Sequence, residues 1–358
     1  MNETTTPPKV VVITGPTASG KSAFGVELAQ TFRGEIISAD SVQIYRGFDI
    51  GSGKPTLREQ AGVPHHLLSA LEPTEEFNAG CFAELADRAI TETVARGAVP
   101  IIVGGSGLYI SALLAGLVSF EPGYQFRRAE VVRREEELRE EDGGRSEEEI
   151  RATMYRWLRE VDPDAADVLH RNDVTRVRHA LAVGLRFTEP LSSLHRAHAR
   201  EPRYQALVIA LMPNRELLYQ RINERVDSML SSGLVDEVTR LLTQYSPQCK
   251  PFSSIGYTQV VKYLRGDLDF EAMREELKRE TRRFAKRQYT WWRNQPRRLG
   301  WRERIEFSED GVSECVSFVE EFLQTPHTDG RVDFSLIRDV DWKPINQGFI
   351  DGRIYAVS

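Results

Sequence analysis

The sequence has few cysteines and no long apolar run. Cys81, Cys249 and Cys315 are the only cysteines in 358 residues, and their wide spacing excludes a CxxC or Cys/His zinc motif. A sparse, odd number of cysteines is typical of reduced thiols in a cytoplasmic protein. No apolar run approaches the roughly 20 residues of a membrane span. The start of the chain, MNETTTPPKV, lacks the basic and apolar parts of a signal peptide. We therefore expect a soluble, cytoplasmic protein without a membrane partner.

An excess of positive charge is also missing. The formal net charge is −6, so the overall balance does not indicate a polyanionic partner. A local basic face is nevertheless sufficient to bind nucleic acid. The hydrophobic fraction of 41% is compatible with a globular fold. A chain of 358 residues is too long for one small core and predicts two units, or one domain with a large insertion.

Short β-branched runs alternate with helical patterns along much of the chain. The run KVVVIT at 9–14 ends at a glycine and is typical of a buried parallel strand. Further strands are predicted at 35–40, 98–105 and 204–213, with helices between them. This alternation predicts an α/β fold with a parallel sheet core flanked by helices.

The composition changes between the third and fourth strands. Residues 127–160 are dense in Arg and Glu, and no strand-like run occurs from 121 to 200. We therefore predict four parts: a first part of the α/β core at 9–120, a helical insertion at 121–200, a second part of the core with basic C-terminal helices at 201–324, and a polar tail without an assigned role at 325–358. Within the third part, residues 302–308 predict a last strand and residues 311–324 a helix.

The segment GPTASGKS fits the phosphate-loop pattern GxxxxGK[ST], and it follows a strand and precedes a helix as that motif requires. Its backbone N–H groups and the helix N-terminus are expected to hold a bound anion. Lys21 is expected to reach a phosphate oxygen, and the Ser22 hydroxyl to contact Mg²⁺. The loop recognises a diphosphate, which a nucleoside triphosphate or another pyrophosphate ester would supply. The predicted diphosphate-binding residues are Gly15, Pro16, Thr17, Ala18, Ser19, Gly20, Lys21 and Ser22.

Asp40 follows the second predicted strand, and ligands of open α/β sheets bind at the carboxyl ends of strands. Three roles are open for this carboxylate: a magnesium ligand, a general base toward an acceptor beside the phosphates, or a cap of the following turn. Ser41 and Gln43 add groups that could hold a planar polar substrate. Ser106, after the glycines of GGSGLYI, either caps the next helix or contacts a substrate.

A basic, aromatic segment lies near the end of the core. Residues 278–298 contain nine Lys or Arg, with Phe284, Tyr289, Trp291 and Trp292 among them. Cations that bind phosphates and flat rings that stack on bases are the requirements of RNA binding. The alternative is a helix whose aromatic residues pack in the core and whose basic residues are solvated. Arg221 and Arg225, four residues apart on one helix face, could also reach the phosphates.

Taken together, these motifs resemble the tRNA dimethylallyltransferases (tRNA isopentenyltransferases) of the bacterial type. The resemblance covers residues from about 9 to 324. It depends on nine segments: GPTASGKS, SADSVQIYRGFDIGSGKP, PHHLL, GGSGLYI, VDPDAADVLHRNDVTRV, TEPLS, YQRINERVDSMLSSGLVDEV, IGYTQV and TRRFAKRQYTWWR. Relatives that prenylate free adenine nucleotides lack the last of these segments.

The resemblance implies a P-loop NTPase-like fold and the transfer of a dimethylallyl group from dimethylallyl diphosphate to N6 of adenosine 37 in tRNA. It implies Asp40, Thr17 and Arg221 as catalytic residues, Arg225 as a further diphosphate ligand, and Mg²⁺ held at Ser22. The expected partners are dimethylallyl diphosphate and the tRNA anticodon stem-loop. The insertion at 121–200 is expected to bind the stem-loop. We expect the enzyme to be a monomer. The residues implied in tRNA binding are Asp40, Ser41, Val42, Gln43, Ser106, Arg176, Gly256, Tyr257, Arg283 and Arg287. A P-loop kinase of a small molecule or nucleotide is the alternative function.

Two departures from the family pattern concern RNA binding. A family motif Gln-Arg-x-x-Arg is represented by Thr175, Arg176 and His179, with Arg178 one place earlier than the usual arginine. Ser253 stands where some members carry an arginine. The first difference leaves His179 at the position of the motif's last arginine.

Overall fold

A computed structural model of the chain describes residues 7–116, 124–140, 145–184, 192, 203–298 and 311–325. The chain divides into two compact units, one formed by residues 1–116 with 202–358 and the other by residues 117–201. The second unit spans nearly the same residues as the predicted insertion. The strand predicted at 302–308 lies outside the described residues, as does almost all of the predicted tail.

The first unit is built on a parallel sheet, in agreement with the predicted fold class. Its five strands have the order β3-β2-β4-β1-β5, and every neighbouring pair is parallel. Strand β3 has only two residues and was not predicted, because so short a run carries no periodic signal. The strands are β1 (Lys9–Thr14), β2 (Gly34–Ser38), β3 (His65–His66), β4 (Val99–Gly104) and β5 (Gln205–Ala210).

Helices cover both faces of this sheet. Val10 and Val12 of β1 face a core that includes α3 and α4, whereas Val11 and Ile13 face a core that includes α1 and α13. Burial on both faces explains why β1 is a continuous β-branched run. The helices described by the structure are α1 (Lys21–Phe32), α2 (Leu57–Gln60), α3 (Ala79–Ala95), α4 (Gly107–Ala115), α5 (Tyr124–Glu140), α6 (Glu147–Val161), α7 (Pro163–Val168), α8 (Val174–Gly184), α9 (Arg215–Ser231), α10 (Leu234–Gln244), α11 (Tyr257–Leu264), α12 (Phe270–Arg298) and α13 (Gly311–Gln324).

The second unit contains α5 to α8 around its own apolar core, which includes Ile150, Leu158 and Leu181. Glu135 is buried beside this core and accepts hydrogen bonds from the Arg178 guanidinium at 2.6 and 2.7 Å. Within the described part of the chain, no helix combines the length and apolarity that crossing a membrane requires.

The carboxyl ends of the three central strands meet at one edge of the sheet. The Thr14 hydroxyl at the end of β1 donates to the carbonyl of Gly104 at the end of β4, at 2.8 Å. The loop that carries Asp40 follows β2, the neighbour of β4. The phosphate loop, the Asp40 loop and the GGSG loop therefore emerge side by side.

Candidate active site

A cleft of about 430 Å³ opens in the first unit where these three loops emerge. Helices α9 and α12 and the segment before α11 form its other walls. Many of the residues singled out in the sequence line this one cavity: Thr17, Lys21, Ser22, Asp40, Ser41, Val42, Gln43, Ser106, Arg225, Gly256 and Arg287.

The phosphate loop has the backbone that its glycines predict. Gly15 and Gly20 have φ values of +145° and +89°, which residues with a Cβ rarely adopt. Helix α1 begins at Lys21, so its unpaired N–H groups belong to the loop that lines the cleft. Ala18 also has a positive φ of 63°, and its side chain packs on the cluster of Leu218, Ile222 and Ala285. This packing fixes the loop against α9 and α12.

Lys21 and Arg225 are two of the cationic side chains that line the cleft. Burial, with a further contribution from the charge of Arg225, lowers the pKa of Lys21 to about 8, while the charge of Asp40 opposes this shift. Burial also lowers the pKa of Arg225, again against the effect of Asp40. The charge of Asp40 thus acts on both cations, and the charge of Arg225 acts on Lys21. The cost of holding two positive charges together would be relieved by a bound polyanion.

The Arg225 guanidinium makes no hydrogen bond with the residues that the structure describes, so its five N–H donors are unused. It lies against the backbone of the loop after β2: a Cβ added to Gly53 would fall 1.6 Å from Arg225 Nη2. Arg221 lies one turn earlier on α9, is half-buried, and does not belong to the residues that line the cleft. Of the two arginines, Arg225 is therefore the one placed beside Lys21.

Asp40 caps the turn that follows it. Its Oδ1 accepts hydrogen bonds from the backbone N–H groups of Val42 at 2.8 Å and Gln43 at 3.2 Å. Its Oδ2 accepts no hydrogen bond from the described residues. The capping role and a role toward a substrate are thus compatible, because each requires a different oxygen.

Two polar side chains near Asp40, those of Gln43 and Ser106, differ in their hydrogen bonding. The Gln43 amide accepts from the Ser38 hydroxyl at 3.0 Å and donates to the Gly53 carbonyl at 3.1 Å. It therefore ties the Asp40 loop to the loop behind Arg225. Ser106 is the residue before α4, yet its hydroxyl makes no capping hydrogen bond. The capping alternative for Ser106 is accordingly not what the structure shows.

Gln288 of α12 joins two of the loops. It is buried, and its Oε1 accepts a hydrogen bond from the Thr17 N–H at 2.8 Å. Its Nε2 donates to the Gly105 carbonyl at 3.0 Å. The basic, aromatic helix thus contacts the phosphate loop directly.

The residues predicted to bind RNA occupy different environments. Arg287 lines the cleft with its guanidinium 5.7 Å from the Phe284 ring centre. Arg283 is exposed and forms an ion pair with Glu280 at 2.7 Å. In the second unit, Arg176 is exposed and forms an ion pair with Asp173 at 3.2 Å.

The burial of Tyr257 differs from its expected role as a tRNA contact. Its side chain is fully buried, so it offers no surface to an RNA in this structure. The Tyr257 hydroxyl donates to buried Glu237 at 2.7 Å, and burial followed by the Glu237 charge raises the pKa of this tyrosine. Glu237 also accepts from the N–H groups of Asp49, Ile50 and Gly51. Tyr257 and Glu237 together support the loop that borders the cleft.

Sequence reasoning did not assign roles to Gln288, Glu237 or His65, which borders the cleft. Gln288 and Glu237 both lie within segments that carried the family resemblance. The signal that could have identified them is a polar residue on the apolar stripe of an amphipathic helix: Gln288 is four residues after Phe284 and four before Trp292.

The departures from the family pattern also have structural settings. Arg178 is engaged by buried Glu135, so its guanidinium stabilises the second unit. Ser253 lines the cleft, is exposed, and donates its hydroxyl hydrogen to the Lys250 carbonyl at 2.7 Å.

Comparisons with known proteins identify the family. The family model described as IPP transferase matches residues 43–295. The tRNA dimethylallyltransferase of Symbiobacterium thermophilum is 41% identical over 326 residues, which cover 90% of this chain and 99% of that protein. The tRNA dimethylallyltransferase 1 of Trichlorobacter lovleyi is 46% identical over 291 residues, which cover 81% and 92%.

Two solved structures agree with these relatives. The tRNA delta(2)-isopentenylpyrophosphate transferase of Staphylococcus epidermidis matches with a TM-score of 0.61 and 34% identity, covering 88% of this chain and 98% of that chain. A eukaryotic dimethylallyltransferase, described as acting on tRNA, matches with a TM-score of 0.73 and 27% identity, covering 89% and 82%.

Proposed function

Because this chain belongs to the IPP transferase family, whose matched relatives are tRNA dimethylallyltransferases, we propose that it transfers a dimethylallyl group from dimethylallyl diphosphate to N6 of adenosine 37 in tRNA. Pyrophosphate is the second product. The observation that carries the proposal is the meeting of Lys21, Arg225 and Asp40 in one cleft. Cations for a diphosphate and a carboxylate for an amine are the two requirements of this reaction.

The diphosphate binds at the phosphate loop, with Lys21 and Arg225 on its oxygens. The support for Arg225 is that its guanidinium lies in the cleft and makes no hydrogen bond with described residues. Donors already aimed at the site stabilise charge as it grows on the leaving pyrophosphate. The sequence-based assignment of a similar role to Arg221 stays a prediction, as do the roles of Pro16, Ala18 and Ser19 as backbone ligands.

Mg²⁺ fits this donor set. No group of three or more His, Cys, Asp or Glu side chains suited to a metal occurs among the described residues. Mg²⁺ at phosphate sites usually takes only one or two protein ligands, and Ser22, at the end of the phosphate loop, lines the cleft. When bound there, Mg²⁺ would neutralise negative charge on the diphosphate oxygens.

Asp40 acts as the general base. Its Oδ2 accepts the proton that N6 loses as nitrogen bonds to C1 of the allylic group, while the bond from C1 to the diphosphate oxygen breaks. The hydrogen bonds from Val42 and Gln43 to Oδ1 hold the carboxylate in place. Ser41, Val42 and Ser106 contact the adenine, and the fixed Gln43 amide shapes the wall next to it.

The adenine must leave the anticodon stack to enter the cleft. We assign the RNA contacts of the first unit to Arg287, Arg283 and the backbone at Gly256, and those of the second unit to Arg176. Arg287→Glu should weaken binding of an anticodon stem-loop and lower its salt dependence. The effect of Arg283→Glu should be smaller, because Glu280 already neutralises part of that charge. Unchanged affinity in both variants would mean that α12 is only a packing element.

The direct test incubates the protein with Mg²⁺, dimethylallyl diphosphate and unmodified tRNA and measures adenosine 37 by mass spectrometry. We expect a mass gain of one dimethylallyl group and release of pyrophosphate. Incubation with ATP tests the alternative function: steady production of ADP without prenylation would support a kinase and refute the proposal. The cytoplasmic location and the monomeric state remain predictions.

A further inference from the structure

Gln288 is a polar residue at a place where the sequence pattern predicts an apolar one. It lies on α12 between Phe284 and Trp292 and is buried, and burial of an amide is unfavourable unless its groups are hydrogen-bonded. Both ends of this amide bond to backbone groups far away in sequence, Thr17 and Gly105. Both hydrogen bonds therefore connect α12 to loops of the cleft, and neither lies within the helix.

The surroundings leave little freedom for this contact. A Cβ added to Gly105 would fall 2.3 Å from Gln288 Nε2, and one added to Gly107 would fall 2.3 Å from Trp291. The GGSG loop therefore carries glycines where α12 approaches its backbone. The close approach fixes the distance between α12, Ser106 and the phosphate loop.

The bond to Thr17 has a second consequence. A phosphate loop holds its anion with backbone N–H groups, and here the Thr17 N–H is already donated to Gln288. Gln288 therefore sets the orientation of the peptide that joins Pro16 to Thr17. That orientation positions the remaining N–H groups of the loop.

We propose that Gln288 is a positioning residue that makes the diphosphate affinity of the phosphate loop depend on the placement of the RNA-binding helix α12. Arg287, the neighbour of Gln288, lines the same cleft. A stem-loop that binds α12 thus acts on the phosphate loop through one amide. This inference rests on the proposed function, since it takes α12 as the RNA-binding element.

Two variants separate the hydrogen bonds from the packing. Gln288→Met keeps the side-chain length and removes both bonds. Gln288→Glu keeps an acceptor for Thr17 and places a second oxygen against the Gly105 carbonyl. At low pH the protonated acid can again donate to Gly105, so the defect of Gln288→Glu should shrink, relative to wild type, as the pH falls.

The assay is the Kd of dimethylallyl diphosphate, measured with Mg²⁺ in the absence and presence of an anticodon stem-loop. We expect wild-type affinity to differ between the two conditions. In Gln288→Met the affinity should be weaker by roughly tenfold or more, because the Thr17 peptide loses the bond that orients it, and insensitive to the stem-loop. The Kd of the stem-loop alone should change little. The thermal midpoint should fall, because a buried N–H and C=O lose their partners. Gln244→Met, at an exposed glutamine on α10, serves as the control.

The outcomes distinguish this inference from the proposed function. If wild-type protein prenylates tRNA but the Gln288 variants keep wild-type diphosphate affinity and its response to RNA, the positioning role is refuted. If the wild-type protein does not prenylate tRNA at all, the proposed function fails. A Gln288→Glu defect that is constant with pH would also contradict the role of the Gly105 bond.

Discussion

Arg225 offers the sharpest test of how the leaving group is stabilised. In the described structure its guanidinium makes no hydrogen bond, so its removal breaks no native bond. A charge-assisted hydrogen bond contributes about 1.5–3 kcal/mol, so a two-bond contact with pyrophosphate should contribute roughly 3–6 kcal/mol. At 1.36 kcal/mol per factor of ten, Arg225→Met should lower kcat/KM for dimethylallyl diphosphate about 10²- to 10⁴-fold.

Gly53 allows the same contact to be disturbed without changing the arginine. A Cβ at this position would lie 1.6 Å from Arg225 Nη2, so Gly53→Ala must displace the guanidinium. Gly53 has a φ of +61°, and alanine there also adds backbone strain. Gly62→Ala is the matched control, because Gly62 has a φ of +77° and a Cβ there would meet nothing within 4 Å.

The measurement is steady-state prenylation of a stem-loop by Arg225→Met, Gly53→Ala, the double variant and Gly62→Ala, with thermal midpoints for each. Gly53→Ala should lose most of the activity that Arg225→Met loses, and the two effects should not add, because both remove one contact. Gly62→Ala should lose stability but little activity. The reasoning is refuted if Arg225→Met keeps kcat/KM within about threefold of wild type, or if Gly53→Ala behaves like Gly62→Ala.

Three further predictions address single groups. Asp40→Asn keeps an oxygen for the Val42 and Gln43 N–H groups but is not a base, so prenylation should fall by about 10²–10⁴-fold. Rescue by high Mg²⁺ would instead indicate a metal ligand. The pKa of Lys21, held near 8 mainly by burial, predicts that kcat/KM for the diphosphate falls as the pH rises through about 8 while the lysine loses its charge, and that Arg225→Met moves this fall to higher pH; a pH profile with no change between 7 and 10 would contradict it. Hydrogen bonding to Arg96 lowers the pKa of Glu35 from 4.5 to about 2, so its contribution to stability is complete above about pH 4.5 and is lost as the pH falls toward 2. Glu35→Gln should cost roughly 1–3 kcal/mol of unfolding free energy at neutral pH, less than a fully buried pair because Arg96 is half exposed, and the difference from wild type should vanish in acid.

The sheet was predictable because burial on both faces dictates its composition. Val10 to Ile13 are all fully buried, and an unbroken apolar, largely β-branched run is what a strand between two cores requires. The phosphate loop was predictable for a related reason, since its backbone path needs glycine at two fixed positions. Both features depend on neighbouring residues in the sequence, so the sequence pattern alone predicts them.

The hydrogen bonds and packing contacts between loops were not predictable in this way. Tyr257 reads as an exposed contact residue beside a glycine, but its burial depends on Glu237 and on the loop at 49–51, which other parts of the chain supply. The choice between Arg221 and Arg225 depends on which turn of α9 faces the cleft, and a spacing of four residues leaves both on one face. Such contacts are set by tertiary packing.

The support that Glu237 gives to the loop at 49–51 has a consequence for synthesis of the protein on the ribosome. Ile50 and Glu237 are separated by 187 positions. At about 5–20 residues per second, Glu237 is translated roughly 10–40 s after the loop at 49–51 that it supports. During that interval the three N–H groups of Asp49, Ile50 and Gly51 lack their partner, so a nascent chain presents phosphate-loop and Asp40 segments without a finished cleft. The enzyme thus acquires its acceptor site only late in its own translation.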